Sequence, residues 1–297
     1  MQTTLRRQIS LVGTGLHSGR PARLLLRPAG AEHGIWFKRT DVKARDQLVP
    51  ATWDAVCDTA LNTRIGNAAG VTVSTIEHLM AALAGSGVTN ALIEIDGPEV
   101  PIMDGSAARF VQEIARAGLR TLDAPLRGLR VVRRVEVGLG DAFAALEPSD
   151  DLVIDYEIDF PDSAIGHQRR IYVQHPTAFA TELADSRTFC RRVEVETMQS
   201  RGLALGGTLE NAVVVEGGDV LNPGGFRHAD ECVRHKILDA VGDLALAGIP
   251  LLGRYEGRRA GHAVTNALLR RLFLTEGSVE TVTLDPQPEI ARVGLAG

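Results

Sequence analysis

Apolar positions along the chain change rhythm several times, and each change marks an element. Near the amino terminus Ala22 to Arg27 and Ile35 to Lys38 are short extended runs punctuated by Gly13, Gly15, Gly19 and Gly34, which predicts strands separated by turns. From Ser74 the rhythm becomes helical. In STIEHLMAALAG, Ile76, Leu79, Met80 and Leu83 share one stripe, and Gly85 suits the helix end. Ala91 to Asp96 alternates as a strand, Gly97-Pro98 turns, and a second helix is predicted from about Ser106 to Ala117, ahead of Gly118.

Thr121 to Gly128, with Asp123 and Pro125, is the best linker candidate, and a second β-rich block follows it. Val131 to Val137, Ala142 to Leu146, Leu152 to Phe160 and Val213 to Val215 read as strands, whereas Asp162 to His167 is polar and reads as a loop. The longest helical pattern runs from about Ala229 to Ala247 and stops at Gly248 and Pro250; a last helix is predicted over His262 to Leu272 and a last strand near Val279 to Leu284. Strands followed by paired helices, twice over, predict an α+β fold: two similar two-layer domains, 1–124 and 125–297, each a sheet with helices packed on one face. There is no strict repeat. Neither G-x-G-x-x-G after a first strand nor G-x-x-x-x-G-K-[ST] occurs, so dinucleotide and nucleoside-triphosphate folds lose support.

The 297 residues suit two domains, and 44% hydrophobic with 23% charged residues is ordinary for a soluble globular chain. A formal charge of −5 does not advertise a polyanionic partner, so nucleic acid is not expected. Three cysteines, Cys57, Cys190 and Cys232, form no CxxC pair and predict no disulfide framework. The opening MQTTLRRQIS lacks the apolar core of a signal peptide, and no segment approaches the ~20 apolar residues of a membrane span. A cytoplasmic protein without stable membrane insertion is the expectation, and with no sustained heptad, a monomer.

Candidate chemistry concentrates on the Ala229 helix. His235, Asp239 and Asp243 follow at intervals of four, drifting only ~40° per step, and so share a face. Imidazole nitrogen and carboxylate oxygen at i, i+4 can meet one zinc ion, but the same spacing also suits an exposed polar face. His228 is a poorer partner, because seven residues rise ~10.5 Å, against ~6 Å between His235 and Asp239. Glu77-His78 is the candidate for the remaining ligand and for a carboxylate that deprotonates a water. Two plainer readings stay open there: Ser74-Thr75-Ile76-Glu77 fits a capping box, and His78 fits a core histidine. His262, after a Gly- and Arg-rich loop, is either a surface histidine or a proton donor held cationic by Asp243.

Several segments together resemble one family. GTGLHSG, STIEHLMAALAGSGVTNALIEIDGPEVPIMDGSAARFV, SRTFC, LGGTLENAVVV, VRHKILDAVGDL and AGHAVTNALLRRL occur in the order and at the separations found in the UDP-3-O-acyl-N-acetylglucosamine deacetylases of Gram-negative bacteria, nearly end to end. The resemblance implies zinc-dependent hydrolysis of the acetamide of a UDP-linked, 3-O-acylated N-acetylglucosamine, the committed step of lipid A biosynthesis. It implies two α+β domains facing each other across the active site, with one zinc per chain held by His78, His235 and Asp239, a donor set that also accepts iron(II). By the same resemblance Glu77 is the general base, His262 the cationic stabiliser and proton donor, Asp243 its partner, and Thr188 an oxyanion donor. Lys236 then meets polar or phosphate groups of the substrate, and Phe189 stands at the sugar and acyl entrance.

Two positions depart from the family pattern. Asn62 stands where some members carry a cysteine, and Cys190 follows SRTF where glycine is common, which bears on loop mobility and on whether the entrance carries a reactive thiol. Phe189, Val193, Val195, Met198, Leu203 and Leu205 supply apolar surface near Thr188, suited either to the family's acyl passage or to a small local core.

Overall fold

A computed structural model describes residues 1–284 of the chain. The strand Pro21–Pro28 shows how the first layer forms: alternate residues point inward, with Leu24 and Leu26 fully buried, as a strand with one face on a core requires. Ile9–Thr14 and Ala91–Ile95 pair antiparallel on its two edges. Ala91–Ile95 continues parallel to Ile35–Arg39, and that strand antiparallel to Leu48–Pro50, which completes a mixed five-stranded sheet.

A seven-stranded sheet gathers around Leu251–Arg258, whose residues 251, 253, 255 and 257 face inward. That strand pairs antiparallel with Ala142–Glu147, parallel with Leu152–Asp159, and briefly parallel with Arg127–Val131. Val135–Leu139, His167–Val173 and Val279–Thr283 are its outer strands. The helices are α1 (Glu77–Gly85), α2 (Ala108–Ala117), α3 (Pro176–Ala178, running into a π turn over Phe179–Leu183), α4 (Arg192–Ser200), α5 (Glu231–Leu244) and α6 (His262–Leu274). Mixed sheets with segregated helices make this an α+β fold, as expected. Helices α5 and α6 pack on strands of the larger sheet, and α1 packs against both α2 and α5. Buried apolar residues from both sheets and from α1, α5 and α6 belong to one continuous core that includes Leu24, Ile93, Leu79, Ile237, Tyr255 and Leu268. No helix among the described residues is long and apolar enough to cross a membrane.

Four local differences from the sequence reading have physical causes. The expected strand Val131 to Val137 is two strands, because the Val132 and Arg133 amides both donate to the Ser278 carbonyl and turn the chain between them. The linker shrinks to 122–126, since Leu119–Thr121 pairs with the amino-terminal strand Thr3–Leu5 and Arg127 opens the next strand. His167–Val173 is an unforeseen edge strand whose apolar Ile171 and Val173 are exposed while Tyr172 is buried, so no inward apolar alternation announces it. Helix α4 buries no residue and therefore has no apolar stripe to read.

Helix α1 begins at Glu77, later than the capping box requires. Ser74 is instead engaged with the Pro98–Val100 segment through backbone bonds, and Thr75 takes φ +56, a costly backbone for a β-branched residue. Against α1 lies Gly242 of α5. A Cβ at residue 242 would stand 2.1 Å from the Glu77 carbonyl oxygen and 3.1 Å from its Cα, so the two helices meet backbone to backbone. Gly242→Ala should therefore separate the helices rather than fill space. Thermal unfolding should show a loss at or above the ~1–3 kcal/mol typical of overpacking, and a variant as stable as the parent would contradict this reading of the contact.

Candidate active site

Helix α5 carries His235, Asp239 and Asp243 inward on one face, all three buried. The close approach at Gly242 brings the first turn of α1 onto that face, and with it His78. The ligand-capable atoms of His78, His235 and Asp239 lie within 4.8 Å of one another. The Nε2 atoms of His78 and His235 stand 3.5 and 3.3 Å from Asp239 Oδ1, with the two rings nearly perpendicular, 4.9 Å apart. His235 Nδ1 faces the Ser186 carbonyl at 3.0 Å, and donating to that acceptor leaves Nε2 with its lone pair toward the cluster. Asp239 Oδ1, though buried, has no hydrogen-bond partner among the described residues, and neither has His78 Nδ1. Two imidazoles and a carboxylate aimed at one another without hydrogen bonds between them fit a divalent cation of borderline softness.

Electrostatics support the same fit. Burial drives the His235 pKa down to about 4, so the ring is neutral at physiological pH. Burial alone would raise the Asp239 carboxyl, but His235 and Lys236 hold it well below the usual carboxylate range. Lys236 donates from Nζ to Asp239 Oδ2, which draws the lysine's charge toward this carboxylate as well as toward the cavity that it lines.

Glu77 is buried beside the cluster at the cavity wall, and desolvation raises its pKa. Its Oε2 accepts from the Thr63 amide at 3.0 Å, not from the first turn of its own helix. His262 opens α6 and its Nδ1 meets Asp243 Oδ2 at 2.7 Å. Burial opposes its charge, yet Asp243, aided by Glu77 and Asp239, raises its pKa to about 9. Thr188 is fixed through its backbone, donating to the Gly105 carbonyl and accepting from Val213 at 2.8 Å each. Phe189 leads the strand Phe189–Arg191 and meets Phe160 edge to face at 5.4 Å.

These groups surround a cavity of about 330 Å³, lined by Glu77, His78, Thr188, Phe189, His235, Lys236, Asp239 and His262; Asp243 stands behind His262. All nine residues singled out from sequence are thus brought together. His228 is not among them and pairs with Asp185 at 2.9 Å. None of Phe189, Val193, Val195, Met198, Leu203 and Leu205 is fully buried, and Val193 and Leu205 are exposed, which disfavours a small local core there. Burial pushes the Cys190 thiol up to about 11, which leaves little thiolate at neutral pH and argues against a reactive entrance.

Sequence reasoning missed the supports. Glu99 accepts from the His17 and Ser18 amides at 2.8 Å and from the Thr75 hydroxyl at 3.0 Å, which ties GTGLHSG to the turn before α1. Glu231 binds Arg187 through two side-chain bonds of 2.9 and 3.0 Å, and also accepts from the Arg187 and Arg227 amides. Arg187 sits between Ser186, which orients His235, and Thr188. Only the segment SRTF hinted at it.

Fold and geometry define a class: an α+β protein whose buried His, His, Asp cluster, flanked by an enclosed carboxylate and a His–Asp pair, has the make-up of a metal-assisted hydrolytic site. The sequence matches the family model of UDP-3-O-acyl N-acetylglycosamine deacetylase (LpxC) over residues 2–274. It is 51% identical over 271 residues to the UDP-3-O-acyl-N-acetylglucosamine deacetylase of Phenylobacterium zucineum (strain HLK1), covering 91% of this chain and 92% of that one. Identity is 45% over 289 residues with the enzyme of that name from Anaeromyxobacter sp. (strain Fw109-5), covering 97% and 94%, and 42% over 291 with that of Pasteurella multocida (strain Pm70), covering 97% and 95%. The chain belongs to the UDP-3-O-acyl-N-acetylglucosamine deacetylase family.

The Glu231–Arg187 pair yields a stability prediction. Burial alone would raise the Glu231 carboxyl, but Arg187 and the two amides hold it below its ordinary range. Its contribution is therefore present above the unfolded pKa of ~4.3 and is lost as pH falls through the lower folded value. Glu231→Ala leaves the Arg187 guanidinium buried and unpaired, and denaturant unfolding at neutral pH should show a loss of ~3–5 kcal/mol. A neutral result would mean that the pair is not a brace.

Proposed function

We propose that this chain hydrolyses the acetamide of UDP-3-O-(3-hydroxyacyl)-N-acetylglucosamine to the free amine and acetate, the committed step of lipid A biosynthesis, with one zinc ion held by His78, His235 and Asp239. Family membership supports the reaction. The single observation that carries the site assignment is the convergence of those three ligand atoms within 4.8 Å beside Glu77 and His262. When bound, zinc, or iron(II) in the same donor set, supplies Lewis acidity and lowers the pKa of a coordinated water from ~15.7 toward ~7.

The residues of the chain do the rest. Glu77, with its pKa raised by burial, takes the proton from the attacking water. Attack on the acetamide carbonyl gives a tetrahedral oxyanion, to which Thr188 donates its hydroxyl and beside which His262 places a positive charge; such preorganised donors typically contribute ~2.7–4 kcal/mol each. Because His262 Nδ1 is engaged by Asp243, its Nε2–H is the one left to protonate the departing amine as the C–N bond breaks. Lys236 meets a polar or phosphate group of the substrate, and Phe189 with Phe160 walls the sugar side. The half-buried and exposed apolar positions from Val193 to Leu205 supply the surface for the acyl chain. In this reading the protein works in the cytoplasm as a monomer on a small UDP-linked substrate, without nucleic acid or stable membrane insertion. Two domains, 1–124 and 125–297, face each other across the site.

An acetate-release assay on metal-loaded protein tests the proposal, with a UDP-sugar lacking the 3-O-acyl chain as comparison; efficient turnover of the truncated sugar would favour a different N-acyl substrate. Glu77→Ala should lower kcat by ~10²–10⁴-fold while metal content stays near that of the parent. Asp239→Ala should instead empty the site, and elemental analysis finding full occupancy there would remove Asp239 from the ligand set. A pH profile tests the His–Asp pair. His262 raised to about 9 stays protonated through neutrality and loses its charge as pH climbs through that value, which sets an alkaline limb for turnover. Asp243→Asn should draw that limb down by about 1–3 pH units; a limb that does not move would show that Asp243 does not sustain the charge.

A further inference from the structure

We infer that Thr63 is a positioning residue that anchors both proton-transfer groups of the site, Glu77 on one side and the Asp243–His262 pair on the other, to a single point of the backbone. The inference rests on the proposed function, which gives Glu77 and His262 their roles. Thr63 is 1% exposed and lies in the loop ALNTRIG, outside every element that supplies a candidate catalytic or ligand side chain. Its amide donates to Glu77 Oε2 at 3.0 Å, and its hydroxyl donates to Asp243 Oδ1 at 2.6 Å. Its carbonyl accepts from the Ile76 amide at 3.4 Å, which secures Thr63 to the turn preceding α1.

Both oxygens of Asp243 are thereby spoken for. Oδ2 receives His262 Nδ1 at 2.7 Å, and Oδ1 receives the Thr63 hydroxyl. With one oxygen held, the carboxylate plane cannot turn about its Cβ–Cγ bond, and His262 keeps one orientation toward the cavity. Removing the hydroxyl would leave a buried carboxylate oxygen unsatisfied and the plane free to swing. Glu77, for its part, has the Thr63 amide as its hydrogen bond among the described residues. A chain of bonds, His262 to Asp243 to Thr63 to Glu77, therefore joins α6, α5 and α1 through one loop residue. A threonine suits this post because branching at Cβ stiffens χ1 and so fixes the hydroxyl direction.

Thr63→Val deletes the hydroxyl while keeping the shape and the amide, and Thr63→Ser restores the hydroxyl without the methyl. On metal-loaded protein, Thr63→Val should lower kcat by roughly 10- to 100-fold, a part of what a positioned acid or base contributes, with KM and metal content unchanged. Thr63→Ser should recover most of that loss. Because the hydroxyl acts through Asp243, adding Thr63→Val to Asp243→Ala should lower kcat by less than about twofold more. Should the valine variant fail to fold, Thr63→Ala against Thr63→Ser makes the same comparison. Wild-type kcat in Thr63→Val, equal losses in the valine and serine variants, or fully additive effects with Asp243→Ala would each overturn the inference. Glu77→Gln and Asp243→Ala, assayed in parallel, separate this failure from a larger one. If both retain parental turnover, the proposed function is wrong; if both lose it while Thr63→Val does not, only the positioning role is wrong.

Discussion

The contact between the Glu77 carbonyl and Gly242 sets everything else in the site. A Cβ at residue 242 would stand 2.1 Å from that carbonyl oxygen, well inside contact distance, so only its absence allows the two helices to meet as they do. The residues flanking the contact are those proposed to act in the site. His78 follows Glu77 directly, Asp239 lies one turn before Gly242, and Asp243 lies one residue after it. Widening the helix pair by even a methyl group would draw His78 away from His235 and Asp239, because close-packed interiors transmit such displacements rather than absorb them. The tightest packing and the chemistry thus share a place, and the one depends on the other.

A second constraint is charge. Three carboxylates, Glu77, Asp239 and Asp243, are buried within one small region, an arrangement that is stable only with cations among them. Each carboxylate has its own neighbour: Lys236 for Asp239, His262 for Asp243, and the Thr63 amide for Glu77. The outcome is a spread of proton affinities in similar groups. Asp239 is held ionised, Glu77 is raised toward proton uptake, His235 is kept neutral and His262 cationic. Environments that push neighbouring titratable groups apart in this way mark acid–base division of labour.

Much of this was legible in the sequence where periodicity spoke. The stripe Ile76, Leu79, Met80, Leu83 located α1, and the spacing of His235, Asp239 and Asp243 placed them on one face of α5. What periodicity cannot give is distance between segments, so the meeting of His78 with His235 was implied by family resemblance and not by the pattern. The capping-box reading of Glu77 failed because Ser74 is committed to pairing with the Pro98–Val100 segment, a long-range bond that outweighs a local cap. The edge strand His167–Val173 and helix α4 went unread for the reason that they turn apolar residues outward or bury none. Thr63, Glu99 and Glu231 were invisible because each acts by hydrogen bonds to residues distant in sequence, and no repeat or spacing advertises such a bond.

In the proposed site three side chains from α1 and α5 hold one cation. Anomalous scattering from crystals of the metal-loaded chain, collected on both sides of the zinc edge, measures it most directly. The predicted result is a single strong peak ~2.0–2.2 Å from His78 Nε2, His235 Nε2 and an oxygen of Asp239, with a further position left for solvent. A peak coordinated by His235 and Asp239 but lying beyond reach of His78, or centred elsewhere, would contradict it.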